Sequence, residues 1–363
     1  MTKGLAVAIF GNIMATNFVE ATTDVSRLDD EGWWAVTHSF EGEFQAFRFS
    51  DLQPLNMAKL VELGHDLSHD PIDISSWTSS MSMTEYVDAV ENVRQDIARG
   101  WVYQANLCRV LSAPLERDLN VVALWNLLSE HNPAPYLSAL QVPAELSGLA
   151  NDVRVVSASP ELFLSRKNQT LRTSPIKGTA RVASELLEKD QTENIMIVDL
   201  VRNDLGQVCE SGSVRVVDLL RIEQHPGLVH LVSDVEGTLP DGTDWNKIFA
   251  ALLPPGSVSG APKSSALEVI QRLENGPRGI YCGGFGWVNA DEQTAELAVG
   301  IRTFWQGAQS GVNSLHFGTG AGITWSSDPI GEWHETELKA ARLLSIAAMS
   351  LDNNIQPSSN PNR

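Results

Sequence analysis

Strand-like runs that follow one another without a helix in every gap constrain the fold of this chain more than any other feature. Downstream of Arg154 such runs recur at Leu162–Ser165, Val229–Val235, Glu296–Thr303 and Leu315–Phe317. Helical periodicity is confined there to about Ser184–Leu205, Ser264–Leu273 and Ile330–Met349. A doubly wound parallel sheet needs a crossover, usually a helix, between successive parallel strands. The order seen here, with its hairpin-like runs, predicts an α+β fold.

The upstream part reads as short strands. Leu5–Phe10 is too short and too soon interrupted by Gly11-Asn12 for a secretory signal, so it is assigned to a first strand, followed by Trp33–Val36 and Phe44–Phe49. Ser82 with Glu85 forms a capping box ahead of Val87, Val90, Val93 and Ile97, and Gly100 ends that helix. Trp101–Leu111 reads as a strand, Leu124–Leu128 as a helix, and Asn132-Pro-Ala-Pro135 as a breaker. These boundaries divide the chain into an N-terminal region, 1–80, a main region, 81–350, and a polar, Pro-containing tail, 351–363, expected to be disordered.

Charge and cysteine usage exclude several functions. Lys and Arg total 26 against 45 Asp and Glu, a formal charge of −19, and no basic run is present, which argues against a nucleic-acid partner. Cys108, Cys209 and Cys282 stand far apart, which fits neither a disulfide framework nor a thiolate metal site and points to a reducing cytoplasm. No run approaches the ~18 apolar residues of a membrane helix, so no membrane association is expected.

Carboxylates open two of the helices in the same way. Asp190 and Glu193, and likewise Glu332 and Glu335, are three apart and share a helical face. Either pair alone is explained by the macrodipole, whereas both together, each beside an apolar stripe, point to a Mg²⁺ site. Gly256-Ser-Val-Ser-Gly260-Ala-Pro-Lys263 and Gly318-Thr-Gly320-Ala-Gly322 lack the spacing or context of nucleotide-binding loops. Each is either a loop without a ligand or a place where backbone N–H groups approach an anion. His65 and His69 lack the glutamate of HExxH and are expected to face solvent; His230 alone reads as a core histidine. Lys177, between Ile176 and Gly178, is placed at a tight turn, where shielding from water would depress its pKa enough for nucleophilic chemistry.

Together these residues carry a resemblance. Ser159-Pro-Glu161, Ser174-Pro-Ile-Lys-Gly-Thr179, Glu193–Leu200 with Arg202-Asn-Asp204, His230–Ser233, Pro255–Lys263, Ile301-Arg-Thr303, Gly318–Gly322 and Glu332-x-x-Glu335-x-x-x-Lys339 occur in the order found in chorismate-utilising enzymes. The chain is similar to that family over about 82–347. The resemblance implies an anthranilate synthase component I-like fold, two packed antiparallel sheets with helices outside and the site between them. It implies Mg²⁺ on Glu193 and Glu335, supported by Asp190 and Glu332, with chorismate carboxylates gripped by Arg302, Lys339 and the backbone of Gly320 and Gly322. Glu161 would be the general acid, His230 would lie beside the ring, and Thr179, Ser257, Gly260, Gln104, Asn106 and Trp287 complete the implied substrate site.

Two positions separate subfamilies. Gln104 stands where water-activating members have lysine, and Lys177 stands where anthranilate synthases usually have alanine and many aminodeoxychorismate synthases have lysine. The implied activity is therefore aminodeoxychorismate synthesis for the 4-aminobenzoate and folate route, with ammonia from a glutamine amidotransferase subunit and an aminodeoxychorismate lyase downstream. No cysteine here sits in a glutaminase-type nucleophile turn. The N-terminal region is shorter than in many members and lacks the serine-containing segment of their tryptophan pocket. The competing readings are an anthranilate synthase component I and a catalytically idle regulatory paralogue.

Overall fold

The computed structural model describes residues 5–351 except 181, 187, 226 and 227, and excludes the side chains of residues 179, 189, 225 and 228. The strands are β1 (Val7–Phe10), β2 (Ile13–Thr22), β3 (Trp33–His38), β4 (Phe44–Pro54), β5 (Thr78–Ser79), β6 (Gln104–Pro114), β7 (Tyr136–Val142), β8 (Val153–Ser159) and β9 (Leu162–Lys167). They continue as β10 (Thr170–Ser174), β11 (Ile176–Ala180), β12 (Arg215–His225), β13 (Leu228–Thr238), β14 (Gly260–Ala261), β15 (Gly284–Asn289), β16 (Thr294–Val299), β17 (Thr303–Gln309) and β18 (Val312–Ile323). Helices are α1 (Met57–Glu62), α2 (Met83–Ala98), α3 (Val121–His131), α4 (Ala144–Ser147), α5 (Glu188–Gly206), α6 (Trp245–Leu252), α7 (Lys263–Leu273) and α8 (Pro329–Ala347).

Every described pairing is antiparallel. The ladder runs β6, β18, β17, β8, β7, β1, β2, β4, β3, β15, β16, β9, β10, β13, β12, with β5 and β14 added at β6 and β11 at β13. Between β8 and β15 lie six strand steps, about 29 Å across a flat sheet at ~4.8 Å each. Yet Val155 of β8 and Phe285 of β15 share one core cluster with Ala8, Leu140, Trp33 and Phe47. The ladder therefore folds over, and the two expected sheets are halves of one continuous sheet.

Helices cover the remaining apolar faces. From α3 and α8, Leu124, Leu128, Ala340 and Leu343 pack with Ala139, Val156 and Phe317, while Ile197, Val201 and Phe249 of α5 and α6 pack with Leu164, Leu171 and Leu297. Tyr86, Val90 and Val93 of α2 and Ala266 and Val269 of α7 pack on β6 and β18. The Ser82 capping box forms as expected, Ser82 N donating to Glu85 (2.7 Å) and Glu85 N to Ser82 Oγ (3.3 Å). Asp328 caps α8 by accepting from Gly331 N (2.7 Å), with Pro329 opening the helix.

Several expectations are corrected. Glu296–Thr303 is not one strand, because the chain leaves β16 at Val299 and enters β17 at Thr303 on the other half of the sheet. His65 and His69 are buried, not solvent-facing, and a ring nitrogen of His69 lies 2.9 Å from the carbonyl of Ala347. Gly318–Gly322 is no loop: all five residues pair with β6 inside β18. The tail expected to be disordered lies outside the described residues except for Leu351, which bridges to His69.

Candidate active site

Two of the crossovers between the halves of the sheet carry a candidate site residue. Glu161 lies in the link from β8 to β9, where its carbonyl accepts from Val299 N (3.0 Å) and its side chain is buried. Burial pushes its carboxyl from the ordinary 4.5 up to about 7, against hydrogen bonds from the Ser257 hydroxyl and Ile176 N–H and the nearby Lys177. A carboxyl with that value is half protonated near neutrality, as a general acid requires. Arg302 lies in the link from β16 to β17 with φ +52°, its carbonyl accepting from Ala158 N (3.0 Å). Burial, and secondarily Arg342, lower its pKa, and among the described residues no carboxylate pairs with its guanidinium.

Lys177 is aimed by a β-bulge, not the expected tight turn. The register of β11 on β13 slips between Ile176 and Thr179, and Gly178 occupies the left-handed region at φ +84°. A Cβ on Gly178 would stand 2.7 Å from Cβ of Asp190, so α5 also demands glycine here. Lys177 Nζ faces the carbonyl of Ser257 at 3.5 Å. Burial lowers its pKa, while Glu161 and Glu193 favour the charged amine, Lys339 opposes it and Glu335 favours it. Four charged side chains, from the first crossover, α5 and α8, thus converge on one amine.

Gln104, Asn106 and Cys108 alternate along one face of β6. Gln104 is 1% exposed and its Oε1 has no partner among the described residues, a buried acceptor open to a bound molecule. The β18 glycines make room on this face. A Cβ on Gly322 would stand 2.8 Å from Gln104 Nε2 and 3.7 Å from Lys177 Nζ, one on Gly320 2.5 Å from Cys108 Sγ, and one on Gly318 1.9 Å from the Tyr281 ring. Lys339 Nζ donates to Gly320 O (3.0 Å) and pairs with Glu335 (2.6 Å), tying α8 to this strand.

The other candidates divide. Ser257 belongs to the group described, and buried His230 faces Thr179 in register across β13 and β11. The side chain of Thr179 lies outside the described residues. Glu332 is buried in the first turn of α8. Gly260 must be glycine for packing: at φ +147° its Cβ would meet Gln104 O at 2.3 Å, where the β6 backbone fills the space. Trp287 is not brought to Lys177. It stacks on Trp33 (centroids 6.2 Å, interplanar 18°) in the cluster containing Phe285, whereas Val288 points into the cluster containing Cys108 and Val258.

Beneath the site lie buried polar pairs whose pairing the sequence does not signal. Asp204 pairs with Lys263 at 2.7 Å, joining α5 to the start of α7, and burial raises the Asp204 pKa against that lysine. Arg278 is 1% exposed and pairs with Glu274. Asp204 and Lys263 are far apart in sequence, and Glu274 and Arg278, though four apart, stand beyond the end of α7, so helical periodicity signals neither pair.

The arrangement agrees with comparison to known proteins. A family profile described as chorismate binding enzyme matches residues 37–345. The chain belongs to that family. It is 35% identical over 344 residues to anthranilate synthase component 1 of Haloarcula marismortui, covering 91% of this chain and 65% of that protein. It is equally 35% identical over 334 residues to aminodeoxychorismate synthase component 1 of Bacillus subtilis, covering 87% and 67%. The chain thus spans about two thirds of the length of these curated relatives. The crystal structure of anthranilate synthase component I from Streptococcus pneumoniae superposes with a TM-score of 0.74 at 23% identity, covering 95% of this chain and 93% of that one. This likeness establishes the fold, a large antiparallel sheet with helices outside. Among the described residues no helix is long and apolar enough to cross a membrane.

Proposed function

We propose that this chorismate-utilising enzyme is the synthase component of an aminodeoxychorismate synthase, acting in the cytoplasm with a glutamine amidotransferase subunit that supplies ammonia. The observation that carries the choice is Lys177, a half-buried lysine whose amine is shielded from water enough to lower its pKa, beside the buried acid Glu161. In this reading neutral Lys177 attacks C2 of chorismate, the ring double bonds shift, and the C4 hydroxyl leaves as water with the proton of Glu161. Ammonia then adds at C4, the double bonds shift back and Lys177 is expelled, the surplus proton returning to Glu161. The net change replaces the 4-hydroxyl by 4-amino and keeps the enolpyruvyl group.

Mg²⁺ fits the donor set as a partly solvated ion. Glu193 and Glu335 both act on Lys177, so two carboxylates face one space, although no group of three or more metal-binding side chains is preformed among the described residues. Mg²⁺ commonly takes one or two protein carboxylates and fills its remaining positions with water and substrate oxygens. Bound there by Glu193 and Glu335, with Asp190 and Glu332 in support, it would supply Lewis-acid polarisation of a substrate carboxylate. Arg302 and Lys339 suit the remaining anionic groups, and Gln104 Oε1 suits an incoming N–H donor.

The second reading, anthranilate synthesis, is favoured by the equal identity to the Haloarcula protein. Chromatography of products from chorismate, Mg²⁺ and ammonium separates the two, since the proposed product is a non-aromatic diene and anthranilate forms with loss of pyruvate. With ammonia omitted, peptide mass spectrometry should find an adduct on Lys177. Absence of that adduct, together with normal amination by Lys177→Ala, would overturn the assignment.

A further inference from the structure

Ser257 holds both of the reacting side chains, its hydroxyl meeting Glu161 and its carbonyl facing Lys177. What holds the Ser257 loop is a residue outside the site. Arg278 stands between α7 and β15, yet its side chain is enclosed. Its guanidinium donates to the carbonyl of Val258 (3.0 Å), next to Ser257, and to that of Asn106 (2.7 Å), two residues from Gln104. It also forms a fork with both oxygens of Glu274 (2.8 and 2.6 Å), and Glu274 Oε1 accepts from Cys108 N (2.8 Å). Phe40 covers the guanidinium at 4.1 Å, and Glu41 accepts from the backbone N–H groups of Arg278 (2.7 Å) and Gly279 (3.1 Å).

Such a cluster joins three remote stretches of chain: the β3–β4 hairpin, β6 and the loop before β14. A buried ion pair is weak evidence for stability, because apolar replacements of similar volume often serve as well. A planar fork with several fixed donors is suited instead to holding separate carbonyls at a set spacing. We infer that Arg278, oriented by Glu274 and Phe40, is a positioning residue that fixes the Ser257 loop against β6 and thereby aligns Glu161 and Lys177 over Gln104. Its kinetic consequence rests on the chorismate reading given above.

The test compares Arg278→Lys, which keeps the charge and loses the fork, with Glu274→Gln, which keeps an acceptor for Cys108. Turnover is measured with chorismate, Mg²⁺ and ammonium, and folding by thermal melting. Reductive methylation of Lys177, mapped by peptide mass spectrometry against half-buried Lys59, gives a readout that needs no substrate. Both variants should fold, hold KM within about threefold and lose about tenfold or more in kcat, since small misplacements of reacting groups are costly. The rate of Lys177 methylation relative to Lys59 should change. Unchanged kcat with unchanged Lys177 labelling in a folded variant overturns the inference, as does failure of both variants to fold, which would make the cluster purely structural. A wild-type chain that does not turn over chorismate sinks the functional reading alone, and the labelling ratio still decides the role of Arg278.

Discussion

Replacing Glu161 by glutamine should make the protein more stable at alkaline pH while removing its proposed general acid. The carboxyl is buried and its pKa stands at about 7 against an ordinary 4.5. Each pKa unit is worth about 1.4 kcal/mol, so the ionised form costs about 3 kcal/mol in the folded state. Because the folded value is raised, the contribution of Glu161 is fully present below about pH 4.5 and is lost as pH rises through about 7. The amide does not titrate and keeps an oxygen for the Ser257 hydroxyl and Ile176 N–H. Urea unfolding of both proteins should therefore show a stability difference growing by about 2–3 kcal/mol in favour of Glu161→Gln between about pH 5 and pH 8.5. Lys177 loses a carboxylate neighbour in the variant, so the same pair is also compared in a Lys177→Met background, where that coupling is absent. A difference that stays flat with pH in both backgrounds would show that Glu161 titrates like a solvated carboxyl and is unsuited to donate a proton at neutrality.

Three further outcomes follow from the geometry. Gly318→Ala places a methyl within the Tyr281 ring and should destabilise the protein by at least about 1–3 kcal/mol in denaturant melts, whereas exposed Gly242→Ala, with φ +73° and open space around its Cβ, should cost only about 1 kcal/mol of backbone strain. Glu193→Ala and Glu335→Ala should each lower kcat/KM by about 100-fold or more at limiting Mg²⁺ while leaving circular dichroism unchanged; near-normal activity of both would refute the proposed metal site. The purified chain should use ammonium at elevated pH and should use glutamine only when a separate glutaminase is added; glutamine-dependent turnover by the chain alone would contradict the two-subunit reading.

Local chemistry is legible in the amino-acid sequence alone. The Ser82 capping box, the strand at Val7–Phe10 and the stripe of α8 follow from short-range rules, because a cap needs one side chain three residues from its partner and an amphipathic helix needs only its period. The motif order also suffices for the family and the antiparallel fold. Where each side chain points is another matter. Gly318–Gly322 resembles a loop because glycines mark loops, but here the strand needs them to clear Tyr281, Cys108 and Gln104, contacts made by residues remote in sequence. Trp287 stands beside core-facing Val288, and only the strand's placement between two core layers directs it to Trp33. The bulge that aims Lys177 belongs to the pairing of β11 with β13, whereas the separation of Glu161 from water and the Arg278 fork arise from the folding of one ladder into two facing halves. Burial and charge proximity are properties of that closure, and no stretch of the chain encodes them alone.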